Sequence, residues 1–361
     1  MPTQLLDLAQ KLLTPPGNGV FTVHTAQNRK NRLHEKLYGT AEQSKVQNKW
    51  LDSLKNLLSS NESRIALLGI PSDCGGGIIR GANWGPLFLR LELQKDIADL
   101  GDVRVIPHYL HDSLLSERAK AASREALYKD SNSQLPVSPL SIAEYFLEKF
   151  YANQSKTRVF GLGGDHSVSY PLVKSYLLAR KNQGTRCALL HFDAHTDLMP
   201  SRLGVDICFG SWTHHILPFL ESPDDLYQVG IRSSGKERTH WEKTYGIHQF
   251  WSEEVQKDPA ELGKHILKSL EQKNIDEIYI SFDIDVLDMS EASATGTPET
   301  NGMHTLQAVE LLKELAPEIQ VGGADLVEVA PFVHHPESDQ LEPETTLRSA
   351  QIIMEQILKL M

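Results

Sequence analysis

Residues 186–197, RCALLHFDAHTD, join a run of apolar side chains to a run of acidic and imidazole side chains. The apolar half predicts a buried strand, where charged groups are disfavoured unless they are paired or bind a cation. Asp193, His195 and Asp197 alternate along the chain, so a strand that continued through them would direct all three side chains to one side. We therefore expect the carboxyl end of this strand to bind something positively charged.

Around this strand, short β-rich segments alternate with segments of helical periodicity. The predicted strands are residues 64–70, 158–163, 186–194, 226–232, 277–285 and 319–329. The helical patterns between them include residues 167–181, 259–273 and 305–316. Apolar strands separated by crossover helices predict an α/β fold with a mostly parallel sheet covered on both faces. In such folds, functional groups collect at the carboxyl ends of the strands.

Two other predicted strands also end in groups of the kind that bind metals. SFDID (281–285) carries Asp283 and Asp285, and GLGGDHS (161–167) places His166 after a glycine-rich turn at the start of a helix. Alone, GLGGDHS also suits a phosphate-binding turn, although no lysine follows it as in a P-loop. The acidic segment alone would suit a calcium loop, but the glycine and glutamate of an EF-hand are not in place. Three such strand ends in one chain favour a shared metal site.

Four carboxylates and two imidazoles are thus expected to converge. Clustered carboxylates in a partly buried site cannot all stay ionised without cations, because desolvation and repulsion raise their pKa values. Two divalent ions balance the four charges, and oxygen-rich ligation with one imidazole per ion suits Mn²⁺ better than structural Zn²⁺. Two such ions bridge a water and lower its pKa, which gives hydroxide at neutral pH. The predicted ligands are His166, Asp193, His195, Asp197, Asp283 and Asp285.

Composition excludes several other classes of function. The chain has 361 residues and a formal net charge of −11, so it offers no electrostatic footprint for nucleic acid or anionic lipid. No apolar stretch approaches the roughly 20 residues needed to span a bilayer, and the N-terminus does not resemble a secretion signal. Three cysteines, an odd and sparse set, favour reduced thiols. We expect a cytoplasmic protein that binds neither nucleic acid nor membrane.

The first sixty residues differ from the rest and predict an extension, residues 1–60, packed on a main domain of residues 61–361. A partner-binding or oligomer-forming arm is the alternative. The extension contains an amphipathic helix whose apolar residues recur at helical spacing, namely Val46, Trp50, Leu54 and Leu57. Residues 112–138, with many Ser, Ala and Lys residues, predict a long excursion or mobile loop.

The metal-type motifs resemble those of the ureohydrolase family, which includes arginase, agmatinase, guanidinobutyrase and formimidoylglutamase. The resemblance covers roughly residues 64–360 and implies a three-layer α-β-α fold, two Mn²⁺ ions per chain, and a homo-oligomer, commonly a trimer or hexamer. The matching segments are GGDHS (163–167), DAHTD (193–197), SFDID (281–285), RGANWGPLFLR (80–90), VGIRS (229–233), ATGTPETNG (294–302) and DLVEVAP (325–331).

The resemblance also implies a reaction: a metal-bridging hydroxide attacks the central carbon of a guanidino or formimidoyl substrate and cleaves its C–N bond. Asp285 or a neighbouring ligand would orient the hydroxide, and Asp197 would pass a proton to the departing amine. Glu328 matches the family glutamate that holds the amidine end of the substrate. Two alternatives remain: a single-zinc, deacetylase-like amidohydrolase on the related fold, and a family member without turnover that acts as a binding or regulatory protein.

The sequence departs from the family pattern at Phe209, where many arginases and agmatinases have a histidine that shuttles protons. Either His214 or His215 reaches back into the site, or the protein belongs to a branch without the shuttle, as formimidoylglutamases tend to. The substrate's tail is open as well. Arg202, with Lys236 or Arg238, is a candidate clamp for an anionic tail, although exposed arginines and lysines are common in loops.

Overall fold

The computed structural model describes residues 2–20, 24–77, 79–95, 97–315, 318–333 and 343–361. The helices are α1 (Pro2–Leu12), α2 (Gln27–Tyr38), α3 (Gln43–Ser59), α4 (Gly85–Glu92), α5 (Glu117–Tyr128), α6 (Pro139–Asn153), α7 (Ser169–Lys181), α8 (Trp212–Ile216), α9 (Arg238–Tyr245), α10 (Ser252–Lys257), α11 (Pro259–Gln272), α12 (Thr305–Leu315) and α13 (Pro343–Leu360). The strands are β1 (Leu13–Thr14), β2 (Arg64–Ile70), β3 (Ala98–Val103), β4 (Thr157–Gly163), β5 (Cys187–Phe192), β6 (Leu226–Ile231), β7 (His248–Trp251), β8 (Glu277–Asp283) and β9 (Gln320–Val327).

In the described part of the chain, nine strands form one sheet in the order β1-β3-β2-β4-β9-β8-β5-β6-β7. Only β1, at the edge, runs antiparallel to its neighbour. The other pairs are parallel, and a parallel pair needs a crossover connection, which helices commonly provide. The predicted mostly parallel sheet is confirmed.

Helices cover both faces of the sheet, because side chains alternate along the strands. On β5, Leu190 and Phe192 join a cluster with α4, α11, α12 and α13. Leu189, which directly precedes Leu190, joins the opposite cluster with α1, α3, α6 and α7. The three-layer α-β-α architecture is therefore confirmed, and the central strands are buried on both sides.

The strand ends differ from the prediction. β5 stops at Phe192, so the expected continuation through Asp193, His195 and Asp197 is wrong. The backbone turns there because the Asp193 carboxylate accepts a hydrogen bond from the backbone N–H of His195 at 2.6 Å, which replaces ladder pairing with a local turn. Asp197 then adopts a φ of 51°, in the left-handed region. β8 likewise ends at Asp283, and Asp285 lies in a short 3₁₀ turn.

Residues 112–138 are not simply a loop, because they contain the helix α5. Ser116 caps this helix by accepting a hydrogen bond from the N–H of Ala119, and the helix carries several good helix formers, alanine and glutamate among them. The prediction of a mobile loop is therefore wrong for Glu117–Tyr128.

The predicted amphipathic helix near the N-terminus is confirmed as α3, and its four apolar residues are buried. The Trp50 indole N–H donates to the carbonyl of Leu100 on β3 at 3.1 Å, and β1 extends the sheet edge by pairing Leu13 with Val103. The division into an extension of residues 1–60 and a domain of residues 61–361 stays a prediction. Within the described residues, no helix combines the length and apolar content that a membrane crossing requires.

Candidate metal centre

The six predicted ligands and Glu328 meet at the carboxyl ends of four neighbouring strands, β4, β9, β8 and β5. Asp283 ends β8, whereas Asp193 follows β5 directly. Glu328 follows β9, and His166 opens a 3₁₀ turn shortly after β4. Since parallel strands finish at the same edge of a sheet, the order of strands brings together segments that are far apart in the chain.

One group of oxygens surrounds the imidazole of His166, which is almost fully buried. Its Nδ1 lies 3.0 Å from Asp283 Oδ2, 3.1 Å from Asp193 Oδ2 and 3.3 Å from Asp197 Oδ2. Within the described residues, Nδ1 makes no hydrogen bond of acceptable geometry. A buried nitrogen that faces three carboxylates without a hydrogen-bond partner fits a position for a cation.

A second group lies beside the first. His195 Nδ1 is 3.2 Å from Asp285 Oδ2 and 3.3 Å from Asp193 Oδ1. The two oxygens of Asp193 therefore face different imidazoles, Oδ2 towards His166 and Oδ1 towards His195. This arrangement fits two neighbouring cations that share Asp193, and the structure brings all six predicted ligands to these two positions.

The carboxylates differ in their affinity for protons. Burial, together with the nearby charge of Asp193, raises the pKa of Asp197 well above its usual range. Burial and the charges of Asp285 and Asp193 have the same effect on the pKa of Asp283. Asp193 is different: the imidazoles of His166, His191 and His195 outweigh its burial and hold its pKa well below the usual range. Excess negative charge around an ionised Asp193 is what bound cations would compensate.

His191, in the middle of β5, is a site residue that the sequence analysis missed. Its ring is buried, and Nε2 lies 2.9 Å from Asp193 Oδ2. Gln228, on the neighbouring strand β6, donates to its Nδ1 at 2.9 Å, so the ring hydrogen sits on Nε2 and points at Asp193. Burial lowers the pKa of His191, which keeps the ring neutral. A histidine within an apolar strand was the only available signal.

Behind His166 lies a second buried network. With Nδ1 directed at the carboxylates, Nε2 donates to the hydroxyl of Ser281 at 3.1 Å. Ser281 in turn donates to Asp325 Oδ1 at 2.8 Å, and Ser169 and Tyr279 also donate to this carboxylate. Neighbouring strands create the network, because Ser281 on β8 is paired with Asp325 on β9. It fixes the tautomer and orientation of His166.

Hydrogen bonds also orient the outer carboxylates. The indole N–H of Trp212 donates to Asp197 Oδ2 at 2.9 Å. The hydroxyl of Thr297 donates to Asp285 Oδ2 at 2.8 Å, and the N–H of Ala194 donates to its Oδ1 at 3.2 Å. Thr297 belongs to the ATGTPETNG segment, so this segment supports a predicted ligand.

Glu328 is held at the edge of the cluster in a strained conformation, with a φ of 62°. Its Oε1 accepts a hydrogen bond from the N–H of His166 at 2.8 Å, and its own N–H donates to the carbonyl of Gly164 at 2.8 Å. Burial, followed by the charges of Asp283 and Asp165, raises its pKa well above the usual range. Oε2 faces Gly296, where an added Cβ would lie only 3.1 Å away.

The two histidines considered as replacements for the proton-shuttle histidine lie elsewhere. The ring of His214 packs against His215 and Tyr245, with centroids 5.2 and 5.8 Å apart. His215 Nε2 bonds to the carbonyl of Pro200 at 3.0 Å. Among the described residues, neither ring forms a hydrogen bond or ion pair with a predicted ligand. Only the backbone N–H of His214 reaches the site, by donating to the carbonyl of Asp197 at 3.2 Å. Proton transfer by His214 stays a prediction without support from this geometry.

Comparison with known proteins identifies the family. A family model described as the arginase family matches residues 63–358. The chain belongs to the arginase family. Agmatinase from Bacillus anthracis is 30% identical over 309 residues, which cover 84% of this chain and 94% of the relative. The mitochondrial guanidino acid hydrolase of Homo sapiens is 28% identical, over 82% of this chain and 78% of the relative.

A solved structure supports the fold of this arginase-family chain. Arginase from Bacillus cereus superimposes with a TM-score of 0.64 at 18% identity, over 82% of this chain and 98% of that one. The similarity confirms the arginase-like fold. As an arginase-family enzyme, the chain is a hydrolase that acts on C–N bonds of amidines.

Proposed function

We propose that this protein is a binuclear manganese hydrolase that cleaves a C–N bond of a linear guanidino or formimidoyl compound. The observation that carries the proposal is the shared carboxylate of Asp193, whose two oxygens face His166 on one side and His195 on the other. Two adjacent cation positions follow from this arrangement, each with one imidazole and several carboxylate oxygens. That donor set favours Mn²⁺ over structural Zn²⁺.

Bound at these positions, the ions supply an activated water and positive charge for the transition state. The other steps belong to the chain's own residues. Asp285, held from both sides by Thr297 and Ala194, orients the water. Asp197, fixed by Trp212, accepts its proton and passes it to the departing amine.

Glu328 binds the amidinium end of the substrate. One carboxylate oxygen is occupied by the N–H of His166, which leaves Oε2 directed at the space beside Gly296. A glycine at that position leaves room for a planar group against the carboxylate. The strained backbone at Glu328 is consistent with a residue placed for function.

The decisive experiment combines metal analysis with a panel of substrates. Purified protein supplemented with Mn²⁺ is expected to hold two ions per chain and to release urea, ammonia or formamide from arginine, agmatine, guanidinobutyrate or formimidoylglutamate. Asp193→Asn removes the shared ligand and should lose most bound metal and nearly all turnover. Asp206→Asn, an exposed aspartate with the same change, should match the unaltered protein.

Other results would select the alternatives. A single tightly bound zinc per chain would favour a deacetylase-like amidohydrolase. Fully loaded protein without turnover of any amidine would favour a binding or regulatory role. Unchanged metal content in Asp193→Asn would contradict the proposed centre itself.

We also propose a cytoplasmic homo-oligomer, a trimer or hexamer, that binds neither nucleic acid nor membrane. Support comes from the net charge of −11 and from membership of the arginase family. Light scattering coupled to size exclusion should give a mass of three or six chains. A purely monomeric protein at micromolar concentration would contradict this assignment.

A further inference from the structure

A cavity of about 310 Å³ lies beside the metal centre, between two loops. Its lining includes the glycine run 75–77 on one loop and Phe209 on the other. Two arginines, Arg80 and Arg202, contribute to the same lining.

The glycine run connects this cavity to the metal-binding turn. The N–H of Gly75 donates to Asp165 Oδ2 at 3.0 Å, and Asp165 immediately precedes His166. A Cβ at Gly75 would clash with the side chain of Ser167, so the glycine lets the two loops pack closely. On the other side, the N–H of Phe209 donates to the carbonyl of Gly75 at 3.0 Å. The loop that carries Gly75 thus contacts both the turn that holds His166 and the lining of the cavity.

The charged side chains among the described residues that line the cavity are both positive. Among the described residues that line it, none is acidic. The guanidinium of Arg202 lies over the ring of Phe209, 4.7 Å from its centroid, and within the described chain no carboxylate forms an ion pair with it. Arg80 donates to the carbonyl of Asp73 and has that residue's carboxylate at 3.9 Å, the outer limit of an ion pair.

Lys236 and Arg238, the other residues that the sequence analysis considered for binding an anionic tail, are placed differently. Arg238 is already paired, with Glu242 at 2.8 Å and Glu254 at 2.7 Å. Lys236 is exposed and does not line the cavity. The structure thus separates Arg202 from both of them and places it with Arg80 instead.

We propose that this cavity binds an anionic tail, so that the substrate is a zwitterion with a cationic amidine at one end and a carboxylate at the other. The inference rests on the proposed function. Glu328 holds the amidine, and the guanidinium groups of Arg80 and Arg202 bind the carboxylate. A substrate with an aliphatic amine as its tail would place a third positive charge beside Arg202, which has no ion-pair partner in the described chain, and Arg80, which has only a long contact with Asp73.

The test uses two substrates with the same head and opposite tails, agmatine and 4-guanidinobutyrate, with formimidoylglutamate as a second acid. Manganese-loaded protein should prefer one of the acids to agmatine by at least about 10-fold in kcat/KM. Arg202→Ala should raise KM for that acid by about 10- to 100-fold, since a charged hydrogen bond is lost. Its kcat should change little, and KM for agmatine should stay the same or fall.

Arg118→Ala is the matched control, because Arg118 is exposed on α5 and forms no ion pair within the described residues. It should leave both substrates unaffected, whereas Arg80→Ala should repeat the effect of Arg202→Ala. Preference for agmatine, or an unchanged KM for the acids in Arg202→Ala, would overturn the tail assignment and leave the hydrolase proposal intact.

Failure of the proposed function has a separate signature. If loaded protein turns over no amidine, calorimetric titration with 4-guanidinobutyrate and agmatine still measures the tail preference. Tighter binding of the acid that is lost in Arg202→Ala would support the anionic subsite even then. Equal binding of both compounds, or equal binding by the variant, would overturn it.

Discussion

At the scale of single residues, the centre depends on how each carboxylate is surrounded. Asp193 lies among three imidazoles, which hold its pKa low despite burial, whereas burial and the charge of Asp193 raise the pKa of Asp197. The two aspartates are only four residues apart in the sequence, so the difference in pKa comes from what surrounds each side chain in the fold. His191 and Asp325 also shape the centre, because each orients a predicted ligand without being one of the six.

Asp325→Asn tests whether the hydrogen bonds that join His166, Ser281 and Asp325 orient the imidazole of His166. Weakening the acceptor for Ser281 should loosen the orientation of His166, and we expect metal affinity to fall by roughly 10- to 100-fold. Competitive titration with a metallochromic chelator measures that affinity directly. Asp52→Asn, an exposed aspartate on α3, is the control. An unchanged affinity in a folded Asp325→Asn protein would show that the network does not position His166.

At the scale of elements, a buried charge network joins α4, β3 and the N-terminal segment. Arg90 on α4 bonds to Asp99 at 2.7 Å and to Asp102 at 2.5 Å, both on β3. Asp102 also accepts hydrogen bonds from the N–H groups of Gly17 and Gly19. One arginine therefore neutralises two carboxylates, and one of these anchors the chain between β1 and α2.

Arg90→Met should lower the free energy of unfolding by about 3–5 kcal/mol, because it leaves buried carboxylates without their cation. Urea denaturation followed by circular dichroism gives the value. Arg118→Met on exposed α5 should change it by no more than about 0.5 kcal/mol. A loss in Arg90→Met that is no larger than the loss in this control would mean that Asp99 and Asp102 are neutralised in another way.

At the scale of the whole molecule, the order of strands decides which chain segments meet. Because β9 and β8 lie between β4 and β5 in the sheet, residues from four separate loops surround one point. Any ion bound there links these four strand ends. Metal binding should consequently stabilise the complete fold rather than a single loop.

Removal of the metal should lower the thermal stability of the whole protein. An ion present at about 100 times its dissociation constant adds about 2.7 kcal/mol to the free energy of unfolding. Scanning calorimetry of the Mn²⁺-loaded protein before and after treatment with a chelator is expected to show a Tm lower by several degrees, restored by added Mn²⁺. The same treatment should barely affect Asp193→Asn. Equal Tm values for loaded and stripped protein would contradict a centre that links these strands.

Much of the fold was predictable because most positions of its central strands are apolar. β2, β4, β5, β6, β8 and β9 were all anticipated to within a few residues. β3 was not, because its sequence, ADLGDV, contains two aspartates and a glycine, which disfavour a strand. Its aspartates are tolerated only because Arg90, from another element, pairs with them.

The site was predictable in part for a similar reason. Aspartates and histidines directly after apolar strands are a local signal, and Glu328 was placed through its motif. The contribution of His191 depends on Gln228, 37 residues further along the chain, and no local pattern contains that pairing. The grouping of Arg80 with Arg202 depends on two loops that meet only in the folded protein.

The sequence by itself determined the layered α/β architecture and the carboxylate and imidazole groups of the centre. Both depend on short contiguous segments, in which an apolar strand is followed directly by aspartates and histidines. The tertiary structure alone decided that Asp193 faces both imidazoles and that Asp325 orients His166. It also decided that Arg80 and Arg202 line one cavity whose described lining includes no acidic residue. These relations join residues that are far apart in the sequence, such as His166 and Ser281, which are separated by 115 positions. Only the packing of the strands and loops brings them together.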